Sequence, residues 1–196
     1  GLGDVYKRQV PYPSSPIYDE YIALSESELL RYHLKDNGFL DPEKVIEFCN
    51  KQQIDVLIIC NPNNPTGNYN SLDVIEKIVS NTECIVLVDE AYMEFADGKD
   101  VPHYDMRALN KLWLVAGSAL SLVGHYSNLI VFRTFSKAYG LAGLRCGYGV
   151  GSLVLMRQLG KVLLPYHVNA FSLVAAKIAY ENKICLLYTS DAADEL

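Results

Sequence analysis

Short apolar runs end abruptly in polar or turn-forming residues along this chain. The runs "DVLIIC" (55–60), "CIVLVD" (84–89), "NLIVFRTF" (128–135) and "CGYGVG" (146–151) predict buried strands, and "LLRYHL" (29–34) predicts a further one. Segments with helical spacing lie between and after them. "DPEKVIEFCNKQ" (41–52) has Asp41 as a cap and Pro42 in its first turn. "SLDVIEKIVSN" (71–81) places Leu72, Ile75 and Val79 on one face, with Ser71 as N-cap and Asn81 as a stop. "LVLMRQLGKVLL" (153–164), ended by Pro165, and "NAFSLVAAKIAYEN" (169–182) predict two more helices. The stretch 96–126 has no clear period, although "KLWLVAGSALSLVG" within it predicts a helix. Strands that are apolar on both faces and alternate with helices predict an α/β fold, a mainly parallel sheet with helices on both faces. There is no internal repeat.

Composition adds limits. The chain has 196 residues, 50% hydrophobic and 20% charged, which suffices for one sizeable core. Its net charge of −6 comes without a basic stripe, which argues against a nucleic-acid partner. No run reaches membrane-spanning length and no leader resembles a signal peptide. The five cysteines are scattered, without CxxC spacing, as expected of reduced buried thiols in the cytoplasm. The four histidines do not cluster at ligand spacing, so no metal site is expected.

The ends differ from what lies between them. "DVYKRQ" can be encoded by GAT GTG TAT AAG AGA CAG, whose reverse complement in a shifted frame gives TGT CTC TTA TAC ACA TC, or "CLLYTS". Residues 1–9 and 185–196 therefore resemble translated sequencing adaptors, and the native segment is expected to be 10–184, a fragment of a longer protein.

The polar residues that stand out follow strands. "NPNNPTG" follows one, "DEAY" (89–92) closes the next and "SK" (136–137) the third. In open α/β sheets ligands bind beyond the carboxyl ends of strands, so Asn64, Asp89, Tyr92, Ser136 and Lys137 are expected at one edge. A Lys amine can form a Schiff base with an aldehyde. Arg145 offers a planar fork suited to phosphate, and Ser136 a hydroxyl for the same anion. Asp89 ends an apolar strand, where a cationic partner would offset its burial. Taken singly, each has a plainer reading: a solvated loop Lys, a surface Arg, a turn Asp, a rim Tyr and an Asn-Pro turn. The ordered combination is what argues for a site.

That combination resembles the large domain of the fold-type I pyridoxal-phosphate aminotransferases, class I/II, and within them the histidinol-phosphate aminotransferase group. "CNPNNPTG", "VDEAYMEF", "RTFSKAYGLAGLRCGY" and "LPYHVNAFS" carry the resemblance, which runs from about Pro16 to Tyr180. It implies that Lys137 holds pyridoxal 5′-phosphate as a Schiff base and moves the substrate proton. It implies that Asp89 pairs with the pyridine nitrogen and that Asn64 and Tyr92 bind the ring oxygen. Ser136 and Arg145 would hold the cofactor phosphate, with Thr134 a weaker choice, and Tyr18 in "SSPIYDEY" would stack on the ring. The implied reaction converts histidinol phosphate and 2-oxoglutarate to imidazole-acetol phosphate and glutamate, in histidine biosynthesis. The implied assembly is a homodimer.

The sequence also departs from the family pattern. The stretch between Phe95 and Asn128 is longer than is usual. The Gly-rich phosphate loop would lie upstream of Val10 and the small domain downstream of Ile184, so the isolated chain is expected to be inactive. A threonine-phosphate decarboxylase on the same scaffold, and a non-catalytic sensor half of a transcription regulator, are the alternatives.

Overall fold

The computed structural model of the chain describes residues 6–96 and 117–182. Six strands form one sheet: β1 (Lys7–Tyr12), β2 (Glu28–His33), β3 (Val56–Cys60), β4 (Ile85–Asp89), β5 (Leu129–Thr134) and β6 (Gly147–Gly151), in the spatial order β2-β1-β3-β4-β5-β6. All neighbours pair in parallel except β5 and β6, which form an antiparallel edge. Five helices accompany it: α1 (Ile17–Leu24), α2 (Pro42–Gln52), α3 (Leu72–Ser80), α4 (Leu153–Gly160) and α5 (Ala170–Glu181). Among the described residues no helix is long and apolar enough to cross a membrane.

The two-faced strands explain the layers. In β3, Leu57 and Ile59 join one core with Val45 of α2 and Ile75 and Ile78 of α3. Ile58 and Cys60 alternate to the other face, packing with Val10, Tyr18 and Ile22. A third cluster puts Phe135, Tyr139 and Cys146 against Ala176 of α5. Asp41 caps α2 as expected, its side chain accepting from the Lys44 N–H. Ser71 starts α3 without a side-chain capping bond.

Lys7, Arg8 and Gln9, set apart above as tail, lie inside β1, paired with Glu28, Leu29 and Leu30, a placement that does not bear on their origin. A strand with neighbours on both sides recruits backbone whatever its side chains, and these three carry little apolar signal. The other tail, 185–196, lies outside the described residues. Residues 111–116 of "KLWLVAGSALSLVG" also lie outside them, and Ala119–Leu122 form a single 3₁₀ turn. Ser118 accepts from the Leu120 N–H at its start. Helix α4 stops at Gly160, short of the expected Leu164, where glycine weakens the helix.

One polar cluster is buried beside β4 and β5. Glu90 is fully buried and Arg133 is 5% exposed. Arg133 Nε lies 2.7 Å from Glu90 Oε2, its Nη1 2.8 Å from Glu94 Oε1, and its Nη2 donates to Ser118 Oγ at 2.9 Å. The Ser118 hydroxyl donates to Glu90 Oε2 and the Ala119 N–H to Glu90 Oε1, each at 2.7 Å. Burial pushes the Glu90 carboxyl upward, against the pull of Arg133 and these donors. Burial also disfavours the Arg133 charge, but Glu90 and Glu94 outweigh it and hold the guanidinium above its ordinary value. Removing one partner of such a pair leaves a buried charge exposed to its full desolvation cost, about 3–5 kcal/mol. Arg133→Met is therefore expected to lower stability by about 3 kcal/mol or more in urea unfolding of the chain. Glu90→Gln combined with Arg133→Met should cost less than Arg133→Met alone. An unchanged unfolding midpoint for Arg133→Met would contradict this account.

Candidate functional site

The carboxyl ends of β3, β4 and β5 lie side by side, as the sheet order requires. Adjacent strands are about 4.8 Å apart, so residues just beyond their ends converge. Cys60 and Asp89, the last residues of β3 and β4, are partners in register.

The loop after β3 is pinned from within. Asn61 Nδ2 donates to the Asn70 carbonyl, and Asn61 Oδ1 accepts from the Asn70 N–H. Asn63 Nδ2 donates to the Pro13 carbonyl and to Thr66 Oγ1. Both side chains are buried. Asn64, between these anchors and Pro65, is half-buried and lines a pocket of about 590 Å³ together with Tyr69, Tyr92 and Phe95. Of the three asparagines in "NPNNPTG", Asn61 and Asn63 hold the loop, and Asn63 and Asn64 line the pocket.

Asp89 closes β4 with its Oδ1 accepting the Ala91 N–H at 3.0 Å. Its Oδ2 accepts the Tyr18 hydroxyl at 2.6 Å. Burial, then the Asp89 charge, pushes the Tyr18 phenol far above its ordinary value, so Tyr18 remains a donor. Cys60 lies in the same corner, its thiol pushed up by burial and partly relieved by a hydrogen bond with Tyr18. Tyr92 begins a short 3₁₀ turn (Met93–Phe95) beyond β4.

Lys137 follows β5 in a tight loop. The Gly140 N–H donates to the Lys137 carbonyl at 2.8 Å, and Leu141 N–H to the Phe135 carbonyl at 2.9 Å. Gly140 has φ +65°, a left-handed conformation that glycine adopts without strain. The loop leaves Lys137 exposed, with its Nζ 5.1 Å from the centre of the Tyr92 ring. The β5–β6 ladder extends past its strands, Phe135 N–H donating to the Cys146 carbonyl at 3.1 Å. That brings Ser136 and Arg145 to the same open end. Close pairing needs glycine at 147, where a Cβ would stand 2.7 Å from the Arg133 carbonyl oxygen. Arg145 is exposed, in a left-handed conformation, and its Nη1 donates to the Ala142 carbonyl.

The structure thus joins Asp89 directly to Tyr18 and Lys137 directly to Tyr92, and puts Asn64 and Tyr92 in one pocket lining. Thr134 is half-buried and its Oγ1 accepts the Ser136 N–H. Tyr18 meets the site through its hydroxyl, whereas sequence reasoning assigned it only a ring-stacking role. Sequence reasoning also missed Glu90, Glu94, Arg133 and Ser118. The charged residues flanking Asp89 and preceding Lys137 inside apolar runs were the available signal.

An amine, a carboxylate held by a phenol, and a hydroxyl–guanidinium pair suit an aldehyde-bearing, cationic-ring, phosphorylated cofactor such as pyridoxal phosphate.

Comparison with known proteins identifies the family. The pattern of the family "Aminotransferase class I and II" matches residues 9–184. The histidinol-phosphate aminotransferase of Chlorobaculum tepidum is 33% identical over 181 residues, covering 92% of this chain and 47% of that protein. The structure of histidinol-phosphate aminotransferase from Sinorhizobium meliloti, in complex with pyridoxal-5′-phosphate, superposes with a TM-score of 0.78 at 22% identity, over 96% of this chain and 47% of that one. The L-threonine-O-3-phosphate decarboxylase of Porphyromonas gingivalis superposes with a TM-score of 0.68 at 24% identity, over 88% and 48%. The chain spans about half the length of the curated relatives it matches. Because that pattern matches residues 9–184 of the 196, the chain belongs to the class I and II aminotransferase family.

Proposed function

We propose that this chain carries the pyridoxal-phosphate-binding half of an aminotransferase, with histidinol phosphate and glutamate as amino donors and the matching oxo acids as acceptors. The observation that carries the reading is the Lys137 amine over the Tyr92 ring, one strand away from the Asp89 carboxylate. The name and 33% identity of the Chlorobaculum tepidum relative support the substrate choice. The exposed apolar residues Leu164, Tyr166 and Phe171 support a partner surface, for which a homodimer is the proposed occupant.

When bound, pyridoxal phosphate supplies an aldehyde for amine exchange and a ring that accepts electrons from the substrate α-carbon. The chain supplies the rest. Lys137 binds the aldehyde through its amine and, once displaced, carries a proton from the substrate α-carbon as a base and returns it as an acid. Asp89 offers its carboxylate to the ring nitrogen and keeps a proton there by charge. The Tyr18 hydroxyl orients that carboxylate through Oδ2, while the Ala91 N–H fixes Oδ1. Asn64 and Tyr92 offer an amide and a phenol to the ring oxygen. Ser136 and Arg145 hold the phosphate at the end of the β5–β6 hairpin.

Borohydride reduction of the chain with added pyridoxal phosphate should fix the label on Lys137, read by peptide mass mapping. Lys137→Ala should take no label. A label elsewhere, or none on the parent chain, would overturn the assignment.

Asp89→Asn should separate binding from chemistry, because Asn still hydrogen-bonds the ring but holds no proton by charge. Lys137 should still be trapped by borohydride. In a longer protein that includes this chain, amino transfer from glutamate should fall by about 10²-fold or more, equivalent to roughly 3 kcal/mol in the barrier. Transfer at the parental rate would reduce Asp89 to a structural role.

A further inference from the structure

Cys49, near the end of α2, and Cys84, just before β4, are free thiols in the same buried core, 3% and 8% exposed. They lie at the amino ends of the strands, the edge opposite Asp89 and Lys137. Both line a cavity of about 780 Å³, with Asn50 and Thr82 on its wall. Within this shared lining the two thiols act on each other's charge. Cys49 Sγ also donates to the buried Gln9 Oε1 at 3.1 Å. We propose that Cys49 and Cys84 form a second reactive site, in which a small hydroperoxide entering this cavity oxidises the two thiols to a disulfide.

The surroundings assign the roles. Cys49 lowers the Cys84 thiol, against the opposing effect of burial and with help from the Thr82 hydroxyl and the Cys84 and Leu57 amides. Cys84, with burial, pushes Cys49 up and keeps it protonated. Cys49 commits its proton to Gln9 Oε1, which leaves Cys84 as the nucleophile and Cys49 as the resolving thiol. The Cys84 thiolate attacks one peroxide oxygen, the O–O bond breaks, and the departing alkoxide takes a proton to become an alcohol. Cys84 is then a neutral sulfenic acid, so the charge that raised the Cys49 thiol is gone. Cys49 sulfur attacks Cys84 sulfur, the S–O bond breaks, and hydroxide leaves with the Cys49 proton as water. In balance, two thiols lose two electrons and two protons, and the hydroperoxide becomes alcohol and water. For hydrogen peroxide both oxygen products are water.

Peptide mapping of the reduced 196-residue chain after stoichiometric hydrogen peroxide at neutral pH tests this. The expected product is a cross-linked pair of peptides containing Cys49 and Cys84, lighter than their sum by two hydrogens. Cys84 should be consumed at least about tenfold faster than Cys60, whose thiol burial pushes up. Cys49→Ser should stop at a sulfenic acid on Cys84, trapped by dimedone, and Cys84→Ser should leave Cys49 reduced. A disulfide joining any other pair, sulfinic acid on Cys84 with Cys49 free, or a Cys84 that survives the treatment would each overturn the proposal.

Discussion

Glu90 and Arg133 are two opposite charges that the sheet has taken out of water, and neither is stable there without the other. Their position determines what they fasten. Glu90 directly follows Asp89. Glu94, the second carboxylate on Arg133, lies two residues beyond Tyr92. Arg133 itself sits four residues before Lys137 on the neighbouring strand. The residues with reactive ends are therefore tied together from behind by groups that never reach the pocket. Ser118 and the Ala119 amide complete the donor set from a distant part of the sequence. The site's openness and the cluster's closure are complementary: polar side chains beyond the strand ends face solvent, while those just inside them pair with one another, with Glu94 Oε2 left without a partner.

The legible parts of the sequence were those governed by a period or a local rule. β3, β4 and β5 were visible because burial on two faces demands unbroken apolar runs. The Asp41 cap and Pro42 announced α2. The edge that gathers Asn64, Asp89, Tyr92 and Lys137 followed from the parallel topology once those strands were placed. β1 was not legible, since Lys7, Arg8 and Gln9 are held by backbone pairing and carry polar side chains. Helix α1 lacks a side-chain capping bond and follows a run of prolines, so nothing announced it. The Tyr18–Asp89 hydrogen bond joins residues 71 apart in sequence, and no spacing rule reaches that far. The bond that occupies the Thr134 hydroxyl depends on one backbone amide, which sequence does not display.

The two ends of the parallel strands carry different chemistry. At the carboxyl ends, loops leave the sheet immediately and expose an amine and a guanidinium. At the amino ends, Asn128 Nδ2 donates to the carbonyls of Val79, Thr82 and Cys84, drawing the end of α3 and the start of β4 against β5. That packing is what holds the sulfur atoms between the apolar core and a polar-lined cavity. A strand five residues long separates the two environments, and the whole core lies between them.

Parallel pairing of β4 with β5, in which Asp89 stands opposite Phe132, has a consequence for how the chain can change. The lateral offset between carboxylate and amine is set by a ladder of backbone hydrogen bonds, a ruler graduated in strand spacings. The covalent path between the two strands contributes nothing to that measurement. It only has to leave one strand end, deliver Ser118 to Glu90, and enter the next strand at its start. The length of such a path can thus vary with the ruler unread, and that is the kind of variation a parallel sheet absorbs most readily.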